Sequence, residues 1–222
     1  RSDYSDAWSN LGLVYLEQGQ VVDAEQSLLR ALELAPRHVD ALRHLGRVRQ
    51  TQGEWAEALR LCEQALALAP RHAELLLQLG QLYATLKQFG KAVQVLRQAA
   101  DLRPNWGEAH LNLGFVLNDL EEIEQARIAF GQAARLCPTR PLWKWRELSL
   151  CPAVFDSEEA LGAYRAELER RLDEALAERP PCDWREIFRD GFVPSFQLYH
   201  HGVCNRRLRE KFAALFAGSF PQ

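Results

Sequence analysis

Methionine is absent from all 222 residues, position 1 included, so we expect the chain to be cut from a longer one. Also missing is any apolar run of membrane-spanning length, and the first residues lack a signal peptide's basic-then-apolar pattern. No transmembrane helix is expected. Cationic excess is lacking too: the formal charge is −3, which argues against a nucleic-acid or membrane-surface footprint. The five cysteines, Cys62, Cys137, Cys151, Cys182 and Cys204, are odd in number, irregularly spaced and without CxxC. That pattern suggests reduced thiols in a cytoplasm rather than a disulfide frame. No Gly-rich phosphate loop, strand or acid pair is found, so no catalytic residue and no cofactor are assigned. What is there, 47% hydrophobic and 26% charged residues, is the composition of an ordinary soluble chain.

A unit of 34 residues is stated four times without insertion or deletion. Gly12, Gly46, Gly80 and Gly114 recur at that interval, as do Ala24, Ala58, Ala92 and Ala126, then Ala31, Ala65, Ala99 and Ala133, and finally Pro36, Pro70, Pro104 and Pro138. By helical spacing Trp8, Leu11, Gly12 and Tyr15 lie on one face of a first helix, and Ala24, Leu28 and Ala31 form a matching stripe on a second. Gly and Ala stand where two helices approach closely, and each Pro stops the second helix. A hairpin of this kind cannot bury its apolar faces alone, so the copies must stack.

Trp8, Leu11-Gly12, Tyr15, Ala24, Leu28, Ala31 and Pro36 together resemble the signature of the tetratricopeptide repeat. That resemblance implies an all-α, right-handed superhelical solenoid with a concave groove. The repeats are expected at residues 5–38, 39–72, 73–106 and 107–140, after the end of a preceding repeat at residues 1–4. Residues 139–222 then form a helical cap and bridge. In the second repeat Arg49 replaces the Tyr and Cys62 replaces the large apolar residue; we read Cys62 as a small buried hydrophobe.

In the bridge, Thr139 to Val154 is too aromatic for a free linker and is expected to pack as an irregular cap on the last repeat. Ser157-Glu158-Glu159 opens a helix that ends before Pro180, with an apolar stripe of Leu161, Tyr164, Leu168, Leu172 and Leu176. A short helix from Asp183 to Gly191, an irregular stretch to Gly202 and a last helix carrying Leu208, Phe212 and Leu215 follow. That last apolar face needs a partner, either the solenoid or a missing domain. Leu150-Cys151-Pro152 with Phe155, Ser157-Glu158-Glu159 and the Arg-rich helix from Tyr164 to Leu172 resemble the bridge of SPINDLY-like O-linked N-acetylglucosamine transferases. So does Pro194 to Gly202 followed by Asn205-Arg206, Leu208 and Glu210-Lys211, with departures at His200-His201 and Cys204-Asn205. The resemblance implies sugar-nucleotide chemistry in a C-terminal domain missing after Gln222, not in this chain.

One polar residue per repeat, Asn10, His44, Gln78 and Asn112, precedes the Leu-Gly position on the flank expected to face the groove. With Leu13, Arg43, Arg47, Gln81 and Phe115 it makes a candidate site for an extended peptide, whose backbone amides need partners. Arg43 and Arg47 beside His44 would favour an acidic residue in that peptide. A wet, unused groove is the alternative. Asp6, Asp40, Glu74 and Glu108 start the first helices and suit the helix N-terminus without any ligand. His200, His201 and Cys204 are too few for a zinc site, so no metal is assigned. The charged helix from Ser157 reads as a solvated face. The expected function is substrate recognition for a SPINDLY-type glycosyltransferase. The competing reading is a stand-alone scaffold without enzymatic activity. Expected partners are a protein or extended peptide and the missing C-terminal domain, with neither nucleic acid nor membrane.

Overall fold

The computed structural model describes residues 2–152, 154–178 and 206–216 and contains only helices and turns among them. It divides into two compact units, Arg1–Pro104 and Asn105–Gln222.

The first unit holds three antiparallel hairpins: α1 (Ser2–Glu17) with α2 (Val21–Leu34), α3 (Val39–Thr51) with α4 (Trp55–Leu68), and α5 (Ala73–Thr85) with α6 (Phe89–Leu102). The repeat columns explain the packing. Cβ atoms built on Gly12, Gly46 and Gly80 would lie 2.6 Å from Leu28, 2.8 Å from Cys62 and 2.4 Å from Leu96, so each glycine is where the second helix's large side chain sits on the first helix. Cys62 is fully buried, and burial pushes its thiol up to about 12.

Each first helix ends in the same way. Gln20, Glu54 and Gln88 donate their N–H to the carbonyls of Tyr15, Arg49 and Tyr83 at 2.8, 2.9 and 2.8 Å. This closure needs a left-handed residue just before, which is Gly19 in α1–α2, Gly53 in α3–α4 and, at a cost in strain, Lys87 (φ 57°) in α5–α6. The second helices stop two residues ahead of Pro36, Pro70 and Pro104, as expected.

Successive repeats are tied by polar contacts that obey the same period. The His38 ring caps α3 by accepting the Ala41 N–H at Nδ1 (3.2 Å), which leaves its proton on Nε2 to meet Asp6 Oδ1 at 2.7 Å. His72 caps α5 by accepting the Leu75 N–H at 3.3 Å and lies 3.4 Å from Asp40. The helix-opening acids therefore also hold the next repeat. Arg49, where the period has Tyr, reaches Glu25 of α2 at 2.7 Å. The Tyr of the third repeat, Tyr83, reaches Glu63 of α4 instead.

The second unit starts with the fourth hairpin, α7 (Gly107–Asp119) and α8 (Ile123–Leu136). Phe130 fills the space left by Gly114 and meets Phe115 edge-on at 5.3 Å. The aromatic stretch is a short helix, α9 (Pro141–Trp145), followed by a 3-10 turn (Arg146–Ser149). Trp143 is buried against α8, near Gly107, where an added Cβ would come within 3.0 Å of its ring. This stretch does pack on the last repeat as a cap.

Beyond it, α10 (Glu158–Glu178) and α11 (Arg206–Phe216) face each other. The Ser157 hydroxyl caps α10 by accepting the Ala160 N–H at 3.1 Å. Leu142, Trp145, Leu148, Leu168, Leu172, Leu208, Phe212 and Leu215 share one core, so the apolar face of α11, packed on α10, joins the core to which α9 and the 3-10 turn also contribute. Lys211 bridges Glu169 (2.9 Å) and Asp173 (2.5 Å) across the same joint. Arg170 and Arg171 pair with Glu167 along α10, the ordinary chemistry of a solvated helix face. The readings made for Asp183 to Gly191 and for His200, His201 and Cys204 fall outside the described residues.

Candidate functional site

Three first helices, α1, α3 and α5, carry most of the proposed peptide site, and the fourth, α7, belongs to the second unit. In the first unit the polar row is spent differently at each level. Asn10 is exposed. His44 and Gln78 are only 3% and 6% exposed. Gln78 reaches back over the preceding repeat's first helix, where Gly46 leaves room, and donates its Nε2 to Arg43 O (3.3 Å) and Gln50 Oε1 (3.1 Å). The structure thus buries both, Gln78 in the joint with the preceding repeat and His44 against Arg43, where the sequence alone suggests side chains open to the groove. The cause is stacking: a side chain on the groove flank is covered once the neighbouring first helix comes close.

Not all of their bonding capacity is used. Gln78 Oε1, His44 Nδ1 and Ser9 Oγ are buried without a hydrogen-bond partner among the described residues. Arg43 has only donors, so the 3.2 Å contact of its Nη2 with His44 Nε2 makes that nitrogen the acceptor and places the His44 proton on Nδ1. Burial first, then the Arg43 charge, pulls His44 down to about 4 and keeps the ring neutral.

Beside the joint stand the two arginines. Arg43 is held by Asp40 at 3.2 Å. Burial alone would raise the Asp40 carboxyl, but Arg43 and then His72 hold it below its ordinary range. Arg47 is half-buried and has neither an ion pair nor a hydrogen bond among the described residues. Burial and the neighbouring Arg43 both disfavour its charge. Glu17 offsets this in part, yet no carboxylate lies within ion-pair distance among the described residues, and a desolvated cation with a like-charged neighbour gains from an incoming carboxylate. Leu13 is half-buried and Gln81 exposed on the same helices.

In the second unit Asn112 is half-buried, and its amide donates to Glu108 O at 2.8 Å, within its own helix. Phe115 packs on Phe130 and carries the Arg146 guanidinium over its ring at 4.8 Å. This unit also has a cleft of about 180 Å³ lined by Ile123, Leu150, Pro152, Tyr164 and Leu168, rimmed by Arg127 and Arg171. Both arginines are already paired, with Glu124 and with Glu167. Among the described residues no three His, Cys, Asp or Glu side chains gather as a metal site would require, and no helix is long and apolar enough to cross a membrane.

The architecture has known counterparts. A structure of PilF from Pseudomonas aeruginosa superposes with a TM-score of 0.71 at 24% identity, over 97% of this chain and 88% of that one. YrrB, described as a TPR protein with an unusual peptide-binding site, gives 0.62 at 20% identity, over 84% and 91%. A mutant O-GlcNAc transferase from Thermobaculum terrenum gives 0.57 at 27% identity, over 61% of this chain but only 26% of that one. Curated proteins provide no match. The tetratricopeptide repeat pattern itself matches residues 3–69, 37–105 and 77–141, more than half of the chain. With its glycine contacts, helix pairs and period all in that register, the chain belongs to the tetratricopeptide repeat family.

Proposed function

We propose that the inner face of the first three repeats binds an extended protein segment and seats an acidic residue of it against Arg47. The carrying observation is that half-buried guanidinium beside Arg43, a group with neither an ion pair nor a hydrogen bond among the described residues. Asn10, Leu13 and Gln81 supply polar and apolar contacts around it, while His44 and Gln78 act mainly by fixing the joint between helices. The peptide-binding site attributed to YrrB, a protein of the same fold, supports this kind of partner. Asn112 and Phe115 stand on α7 of the second unit and are proposed as peptide contacts of that unit by itself.

The test is the affinity of a labelled, unfolded acidic peptide for the parent and for Arg47→Ala. A charge-assisted contact is worth roughly 1.5–3 kcal/mol, so about a tenfold or larger loss is expected, and it should shrink as salt is raised. Equal affinities would remove Arg47 from the binding surface and favour the wet, unused groove.

The finer reading is that such recognition serves an O-linked N-acetylglucosamine transferase of the SPINDLY type. Supporting it are the Leu150-Cys151-Pro152 and Pro194 to Gly202 stretches and the 27% identity to the Thermobaculum terrenum transferase. Cys62, Cys137 and Cys151 form no disulfide among the described residues, which suits the cytoplasm that this reading requires. Sequencing the gene beyond Gln222 decides it: a sugar-nucleotide-binding α/β domain supports the transferase, and a stop codon or further repeats support the scaffold.

A further inference from the structure

The cleft of the second unit lies between α8, the 3-10 turn and α10, and its polar groups are unevenly paired. Ile123, Leu150, Pro152, Tyr164 and Leu168 make its walls apolar. Tyr164 donates its hydroxyl to Leu150 O, so it offers an occupant its ring rather than its polar tip. Around these walls stand Glu124, Glu147 and Glu167 against Arg127 and Arg171. Arg127 gives both its Nε (3.2 Å) and its Nη2 (2.6 Å) to Glu124. Arg171 gives its Nε to Glu167 at 2.8 Å, one turn back on α10, which leaves its Nη1 3.9 Å from Glu147, too far for a hydrogen bond. The Glu147 side chain is 32% exposed, and its carboxylate has no hydrogen bond among the described residues.

Size and charge together select the occupant. At about 180 Å³ the cleft falls short of the roughly 300–1,000 Å³ of a small-molecule site, so it suits one long side chain. Three carboxylates line it against two guanidinium groups, and the group left without a hydrogen bond is an acid, so the complementary side chain ends in a cation. An apolar wall leading to a carboxylate matches Lys or Arg, which lay their methylene stems on apolar surface while the charged head stays at the rim. Ile128, one turn along α8 from Glu124, and Val154, two residues after Pro152, are 55 and 79% exposed. They offer apolar surface to the neighbours of that side chain in a protein segment, which a free amine would not use.

We infer that the cleft between α8, the 3-10 turn and α10 seats a Lys or Arg side chain of a partner protein, its stem on Leu150, Pro152 and Leu168 and its cationic head on Glu147. The site belongs wholly to the second unit and takes a cation, whereas the inner face of the first three repeats takes an acidic residue. The two readings therefore stand or fall separately.

The probe is the blocked peptide Gly-Ser-Leu-Lys-Leu-Ser-Gly, titrated into the whole 222-residue chain while the methyl resonances of Ile123, Leu150 and Leu168 are followed by NMR. Saturable shifts of all three are expected, with an affinity that falls as salt is raised. Acetylating the peptide's Lys removes its charge and should weaken binding about tenfold or more, as should Glu147→Gln. Glu159→Gln removes the same charge from an exposed position of α10 outside the cleft and should bind like the parent. Thermal unfolding shows whether Glu147→Gln stays folded; if it does not, the acetylated peptide on the parent decides. Arg47→Ala should bind this peptide like the parent, which separates failure here from failure at the inner face. No methyl shifts, equal affinity for the acetylated peptide, or equal affinity of folded Glu147→Gln and Glu159→Gln would overturn the inference. Binding of n-butylammonium as tight as that of the peptide would also overturn it, by making a free amine the occupant.

Discussion

Tyr83 of α5 donates its hydroxyl to Glu63 of α4 at 2.7 Å, tying the third repeat to the second. Burial, and then that carboxylate, raises the phenol to about 12, so it stays a donor throughout the physiological range. Tyr83→Phe keeps the ring and removes only the bond; it should cost about 1 kcal/mol. Glu63→Gln should cost less, since an amide oxygen still accepts. The double variant should lose less than the two losses added, because they share one contact. Strict additivity in denaturant unfolding would show that the bond contributes nothing.

The glycine column predicts opposite effects for one substitution. At Gly80 an added Cβ would lie 2.4 Å from Leu96, with Leu96 itself fully buried, so Gly80→Ala should lose about 1–3 kcal/mol and Gly80→Leu more. At Gly90 in α6 nothing lies within 4 Å of the built Cβ. Gly90→Ala should therefore gain up to about 1 kcal/mol, from the better helix former. Thermal unfolding of both variants checks the sign.

How far this much was legible from sequence depends on what sets each feature. The Gly, Ala and Pro columns are local packing demands repeated four times, so they located the hairpins and the close Gly-to-Leu contacts. The joints between repeats were less legible. His38 and His72 cap helices, a role usually sought among Ser, Thr, Asp and Asn. Their signal was present, as a His 32 residues after an Asp in two successive repeats. Arg49 looked like drift in the Tyr column, yet Glu25 in α2 compensates for it with a contact of its own. The burial of His44 and Gln78 was not legible at all. Helical spacing tells which flank a side chain occupies, but only the approach of the neighbouring helix decides whether water reaches it.

A further column emerges from backbone angles. Gly19, Gly53, Lys87 and Glu121 stand one repeat apart, and all adopt positive φ, at 75, 79, 57 and 61°. Only glycine takes this conformation without strain, which for other residues is about 1–2 kcal/mol. Gly53→Ala should destabilise by about 1 kcal/mol. Lys87→Gly should be neutral to stabilising by up to about 1 kcal/mol, the relief being partly offset by added freedom in the unfolded chain. A stabilised Gly53→Ala would contradict the left-handed turn.

His44 gives the first unit a pH dependence of known sign. Its ring is neutral when folded, with a pKa near 4, against 6.5 for the free side chain. Between those values the unfolded chain binds a proton that the folded chain refuses, so stability rises with pH. The contribution is fully present above about 6.5 and is lost as pH falls toward about 4. At roughly 1.4 kcal/mol per pH unit the loss has a ceiling of about 3 kcal/mol. Asp40, held low by Arg43 and His72 against the effect of burial, and Glu25, held low by hydrogen bonds from Arg49 and Gln52, add their own acid sensitivity below their ordinary range. The substitution His44→Gln separates these contributions, because Gln78 fills the same position one repeat later and cannot titrate. Parent and variant should therefore differ in the slope of stability against pH between about 6.5 and 4, and run parallel below that window. Unfolding by urea across that range measures both slopes. Parallel curves throughout would mean that protonated His44 is accommodated in the joint, and that water or a shifted Arg43 reaches it at low pH.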